Sequence, residues 1–148
     1  MNIDQTEQEL KRIIAGELKH FKNYFLFDEM RQLDLGCFPW NGNLEISFLT
    51  AKEPGLKKDS DIAAWRLYNF TQSYGSTWPA VKEIGRWMQK ECAEKRLTLE
   101  DLLKSCAKVL TSKEVMSALK ENYKLANDFK VTVYDPDNPK KGNFCEVK

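Results

Sequence analysis

Residues 32–51 read QLDLGCFPWNGNLEISFLTA, and the organisation of the chain follows from this stretch. Asn41-Gly42 is the preferred pair for a two-residue type I′ hairpin turn, in which both central positions need positive φ. If Trp40 pairs with Asn43, then Cys37 faces Ile46, Leu35 faces Phe48 and Leu33 faces Thr50. Directly opposed residues share a face of the sheet, so this register collects an apolar set on one side. The other side carries Asp34, Gly36, Phe38 and Trp40 against Leu49, Ser47, Glu45 and Asn43. Pro39 has no N–H to give to a ladder, which places its strand at a sheet edge.

Upstream, residues 6–25 have the pattern of an amphipathic helix. Leu10, Ile13, Ile14, Leu18, Phe21 and Phe25 recur at helical intervals, and Thr6 with Glu9 has the spacing of a capping box. The aromatic run 24–27 could equally open a strand. Downstream, residues 52–61 read as a charged surface loop around Pro54-Gly55. Residues 62–70 are expected to form a third strand, with a short helix as the alternative, and 71–77 a polar loop.

Three helices are expected next. Pro79 suits the first turn of one that buries Val81, Ile84, Met88 and Cys92, with Trp87 at its border. Thr98 caps the second, whose stripe is Leu99, Leu102, Leu103, Cys106 and Leu110; Glu100 and Asp101 favour its positive end. Ser112 caps the third, carrying Val115, Leu119, Tyr123 and Ala126. Phe129, Val131 and Val133 alternate with Lys130, Thr132 and Tyr134 as a final strand. Residues 135–148 are rich in turn formers and read as a flexible tail. The fold class is α+β: an antiparallel sheet of about four strands packed against about four helices, in the order α-β-β-β-α-α-α-β.

At 148 residues, 42% hydrophobic and 30% charged, the composition is that of one globular domain, residues 1–148. Area scaling removes roughly 69% of the unfolded surface from water, enough for a core without disulfide or metal staples. With 23 basic and 22 acidic side chains, the net charge of +1 gives no global field of the kind that carries DNA binding. No apolar run reaches membrane-spanning length. The polar opening Met1-Asn2-Ile3-Asp4-Gln5 is unlike a secretory leader, and a cytoplasmic location is the expectation. Cys37, Cys92, Cys106 and Cys145 stand singly, without zinc or redox spacing, and read as reduced thiols.

The candidate chemistry is sparse. His20, the sole histidine, lies three residues after Glu17 and could form an acid–base pair with it. Stripe-edge residues that keep their polar tips wet are the commoner case. Cys37 with His20 is the one nucleophile–base combination, and the register turns Cys37 into the core. Asp135-Pro136-Asp137-Asn138-Pro139 fails the calcium-loop pattern, because Pro139 and Lys140 stand where a ligand and a glycine are needed, and reads as a stiff turn. Ser73, Tyr74, Gly75, Ser76 and Thr77 precede a helix start and could bind an anion, although the loop contains no Lys or Arg. Lys57-Lys58 and Lys140-Lys141, with Tyr74 or Tyr134, could follow a single nucleic-acid strand. Trp65, Trp78 and Trp87 read as packing residues. No cofactor motif is present.

What remains is the hairpin face. Phe38 and Trp40, with Asp34, Glu45 and Leu49 beside them, form an aromatic patch with acidic neighbours if no helix covers it. The leading expectation is therefore a non-enzymatic protein-binding module: an adaptor, an inhibitor or a bacterial immunity-type protein. A small ligand-binding protein or enzyme, with its site at the 71–77 loop near Glu17 and His20, is the alternative. A single-strand nucleic-acid binder is the third.

Overall fold

The computed structural model describes residues 1–53, 60–74 and 79–146. The element order is α1 (Ile3–Phe21), β1 (Glu29–Phe38), β2 (Asn43–Thr50), α2 (Phe70–Ser73), α3 (Lys82–Ala93), α4 (Leu99–Leu110), α5 (Lys113–Asn122) and β3 (Lys124–Thr132). It is an α+β fold, but the sheet is three-stranded and mixed, in the order β2-β1-β3, rather than a four-stranded antiparallel one.

The hairpin is present with its register displaced by two residues. Phe38 pairs with Asn43, Cys37 with Leu44, Leu35 with Ile46 and Leu33 with Phe48. The connection is Pro39–Gly42, not a two-residue turn: Pro39–Asn41 make a 3₁₀ turn, and Gly42 alone takes left-handed φ at 70°. A type I′ turn needs positive φ at Asn41 as well, and Asn41 does not adopt it. A slip of two preserves the side-chain alternation, so the expected apolar set keeps its face. Pro39 falls outside the ladder, which lets β1 occupy the centre of the sheet instead of its edge.

The tip is held in place by α3. Gly42 and Gly85 touch backbone to backbone; a Cβ on Gly85 would lie 2.0 Å from the Gly42 carbonyl oxygen. Gln89 Nε2 donates to the Trp40 carbonyl at 3.0 Å.

Residues 62–70 do not form a third strand. They contain a 3₁₀ turn (Ile62–Ala64) and one isolated antiparallel bridge, Leu67 to Phe48, before Asn69 turns left-handed (φ 47°) and leads into α2. The left-handed residue ends any extended run, a conformation that Asn tolerates. β3 runs parallel to β1, beginning with Lys124 opposite Glu29. Four helices, α2 to α5, separate β2 from β3, and this helical crossover returns the chain to the starting end of β1, where parallel pairing is the geometry available.

Two of the expected helix caps are present, on α4 and α5, while α3 follows a 3₁₀ turn over Pro79–Val81 and has no side-chain cap. α1 starts earlier than expected, since Asn2 and Gln5 form the capping box and Thr6 lies within the first turn. It also ends at Phe21, followed by a 3₁₀ turn over Lys22–Phe25, so the aromatic run opens no strand. Thr98 caps α4 in a box with Asp101, and Ser112 caps α5 through the Val115 N–H. α5 stops at Asn122; Tyr123 leaves it, and its hydroxyl donates to the Leu18 carbonyl at 2.6 Å, tying the strand entry to α1. Among the described residues no helix is long and apolar enough to cross a membrane.

Leu33, Leu35, Cys37, Leu44, Ile46, Phe48, Val131 and Val133 from the sheet are buried in one core with Leu10, Ile14, Leu18 and Phe21 of α1 and Leu102, Leu103, Cys106 and Leu110 of α4. Beyond β3 the chain folds back: Asn143 accepts from the Val133 and Cys145 N–H groups and donates to the Val131 carbonyl.

Candidate functional site

The polar face of the sheet, bordered by the 3₁₀ turn Ile62–Ala64 and by Pro139, carries a connected side-chain network. Gln32 Nε2 donates to Thr132 Oγ1 (2.9 Å), and Thr132 Oγ1 donates to Asp34 Oδ1 (2.7 Å). These residues are neighbours across the β1–β3 register, in which Asp34 opposes Thr132. On the β2 side Asp34 opposes Ser47 and Gly36 opposes Glu45. Ser47 Oγ accepts from the Asn69 N–H at 2.8 Å, and Tyr68 donates its hydroxyl to Glu45 at 2.5 Å. The 60–69 segment thus lies along one edge of this face.

A cleft of about 290 Å³ opens here. Asp34, Gly36 and Ser47 form its floor; Phe38, Glu45 and Tyr68 form one wall. Tyr134, Asp135 and Pro136 form the opposite wall, and Ile62 and Ala63 also border it. The absence of a side chain at Gly36 shapes the cleft: a Cβ there would meet the Phe38 ring at 2.9 Å. The Pro-rich segment makes an Asx turn. Asp135 Oδ1 accepts from the N–H groups of Asp137 (2.9 Å) and Asn138 (3.2 Å), and its other oxygen lies 3.4 Å from Lys141 Nζ.

The electrostatics single out Asp34. Its side chain is 3% exposed. Burial raises its carboxyl to about 7; the Thr132 hydrogen bond opposes the shift and the nearby Glu45 charge adds to it. Tyr68 is held up at about 12 by desolvation and by Glu45. A carboxylic acid that titrates near neutrality within a cleft is a recognised mark of functional sites.

Of the residues singled out in the sequence, Asp34, Phe38 and Glu45 meet in this cleft. Trp40 stands beside it, 51% exposed, its ring edge-on to Phe38 at 5.7 Å. Leu49 lies on the same face but is buried, at 6% exposure, and does not line the cleft. Tyr74 packs edge-on against Phe25 and Tyr24, away from these residues, and Ser73 bonds the Tyr68 carbonyl. Gly75, Ser76 and Thr77 lie outside the described residues, as do Trp78, Lys57 and Lys58.

Glu17 is half-buried, which raises its carboxyl while His20 opposes the rise. No hydrogen bond joins the two, and His20 is exposed, its ring against Phe21 and Tyr24. Cys37 is enclosed in the core 3.9 Å from the Met88 sulfur, so it does not meet His20.

Sequence reasoning missed Tyr68, Ser47, Tyr134 and Asp135 as lining residues. The signal available for Asp135 was the Asx turn, which fixes where the chain turns but not what the turn covers. It also missed a second aromatic surface at the end of α1, where Leu26 and Phe27 are 64% and 94% exposed beside Tyr24. No protein-family model, curated protein or solved structure matches the chain.

Proposed function

We propose that this chain is a non-enzymatic protein-recognition module that receives its partner on the polar hairpin face. The observation that supports this reading is the cleft itself. Carboxylates Asp34 and Glu45 and the rings of Phe38, Tyr68 and Tyr134 converge on the polar face of the sheet, and the half-exposed Trp40 stands beside them. Aromatic side chains next to a pocket supply anchoring area, and charged groups at the rim set register and partner choice. An adaptor or an inhibitor, including one of the bacterial immunity type, would use such a face.

The test is capture from native lysate with three folded baits: wild type, Trp40→Ala and Phe38→Ala. A stoichiometric partner held by wild type and lost by both variants supports the reading. A partner set identical on all three baits removes it. A second reading, a small-ligand site or enzyme, draws on Asp34, whose carboxyl at about 7 suits proton transfer. It predicts that a small-molecule thermal-shift screen finds binders whose effect is lost in Asp34→Asn.

A further inference from the structure

We infer that the cleft above Asp34 and Glu45 receives the guanidinium of an arginine side chain from the partner protein. The inference rests on the partner-recognition reading and names the chemistry of what that partner presents.

Charge is the first argument. None of the ion pairs seen among the described residues involves Asp34 or Glu45. The third acidic residue of the cleft, Asp135, already has its partners in Lys141 and two backbone N–H groups. The cleft therefore presents two carboxyl groups, of which Asp34 is ionised only above about 7. A cation entering the cleft favours the ionised form of both, and a partner's arginine supplies one.

The geometry of Asp34 is the second. Its Oδ1 is engaged by Thr132, and the carboxyl lines the cleft although Asp34 is only 3% exposed. Glu45 is oriented by Tyr68 and by Asn43 Nδ2 (3.3 Å), which leaves acceptor capacity on both oxygens. Two carboxylates lining one cleft match the fork of a guanidinium, which offers five donors in a plane.

Shape is the third. At about 290 Å³ the cleft stands at the lower end of small-ligand pockets, a size for one side chain. Phe38, folded down over Gly36, and Tyr68 present rings to whatever enters. A guanidinium stacks on aromatic rings and is weakly hydrated; an ammonium is a compact, strongly hydrated point charge. These features favour arginine over lysine.

The titratable and charged groups around Asp34 are Glu45, Tyr68, Tyr134, Asp135 and its Lys141; Lys130 lies further along the same face, opposite Gln32. Raised by burial and by Glu45, Asp34 is fully ionised only above about 7, so arginine binding strengthens as pH rises through that value.

The test is a titration of the full chain at pH 8 with N-acetyl-arginine amide, its neutral isostere N-acetyl-citrulline amide, and free arginine, read from the aromatic NMR signals. Saturable binding of the capped arginine is expected, with citrulline weaker by about tenfold or more. Asp34→Asn and Glu45→Gln, checked for folding by their melting curves, should each weaken it by a similar factor, and lowering the pH to 6 should weaken it in wild type. Citrulline binding as well as arginine, no saturation by the capped arginine, or folded variants binding like wild type would each overturn the inference. Tighter binding of free than of capped arginine would overturn the partner as its source. A partner retained by the Glu45→Gln and Asp34→Asn baits but lost by Trp40→Ala refutes the arginine while leaving partner recognition standing. Capped arginine bound in the cleft, with no partner captured by wild type, does the reverse.

Discussion

The two faces of the sheet are both buried at their centre and are built on opposite principles. On the helix side Leu33, Leu35, Cys37, Leu44, Ile46 and Phe48 are packed without a polar side chain among them. On the other side Gln32, Asp34, Ser47 and Thr132 are each 3% exposed or less, yet the face is polar and its hydrogen bonds run from strand to strand. Apolar burial stabilises in proportion to area, about 25 cal/mol per Å². A hydrogen-bonded polar face returns little net, because every bond replaces one to water. Burial alone therefore does not say which face holds the fold together; chemistry does. A face that is buried at little gain in stability is the one to examine for function.

The largest test of this contrast is Phe48→Ala. Phe48 is fully buried and stacks on Phe70 at 5.1 Å. Its truncation should cost about 3–5 kcal/mol in denaturant unfolding. A loss below about 1 kcal/mol would mean that the helix-side face is not the source of stability.

Asp34→Asn should move stability the other way. In the folded chain burial pushes the Asp34 carboxyl up to about 7 from the 3.8 of an ordinary aspartate. Between these values the folded state binds the extra proton, so wild-type stability falls as pH rises across the window and is flat above it. The full effect is on the order of 4 kcal/mol. The Asn variant retains an acceptor for Thr132 and removes the titration. Its melting temperature should thus exceed that of wild type at pH 8 and match it near pH 4. Parallel melting curves at both pH values would show that Asp34 is not buried as described.

Gly36→Ala should have a smaller effect. The added Cβ displaces the Phe38 ring, for a cost of about 1–3 kcal/mol. Capped arginine should then bind less well than the stability loss alone would suggest, since a wall of the cleft has moved. Smallest of all is Trp40→Ala, which should change unfolding free energy by no more than about 0.5 kcal/mol because half of the side chain is in water. A drop of many degrees in its melting temperature would place Trp40 in the fold rather than in recognition.

The legible parts of this molecule were those set by local chemistry. The caps Thr98 and Ser112, the stripes of α1 and α4 and the apolar side of the hairpin follow from spacing alone. The direction of β3 could not be read, because alternation of Val131 and Val133 is the same in a parallel and an antiparallel strand. The 62–70 segment has the Trp, Tyr and Phe content of a strand, and its fate turned on Asn69, whose left-handed φ no sequence feature marks. The cleft was half legible. Asp34, Phe38 and Glu45 share a face by parity, whereas Tyr68, Tyr134 and Asp135 reach it from segments that only the tertiary fold brings near.

The contact between Gly42 and Gly85 makes the hairpin tip a length gauge. With a 2.0 Å approach there is no room for a side chain on Gly85, and a connection longer or shorter than Pro39–Gly42 would carry the tip off that spot. In substitution terms the two glycines and the loop length behave as one heritable character. Relatives of this chain that keep a glycine at the position of Gly85 should also keep the length of the turn. Those that lose it should show a shorter or re-angled hairpin, with the aromatic pair Phe38 and Trp40 altered in the same lineages.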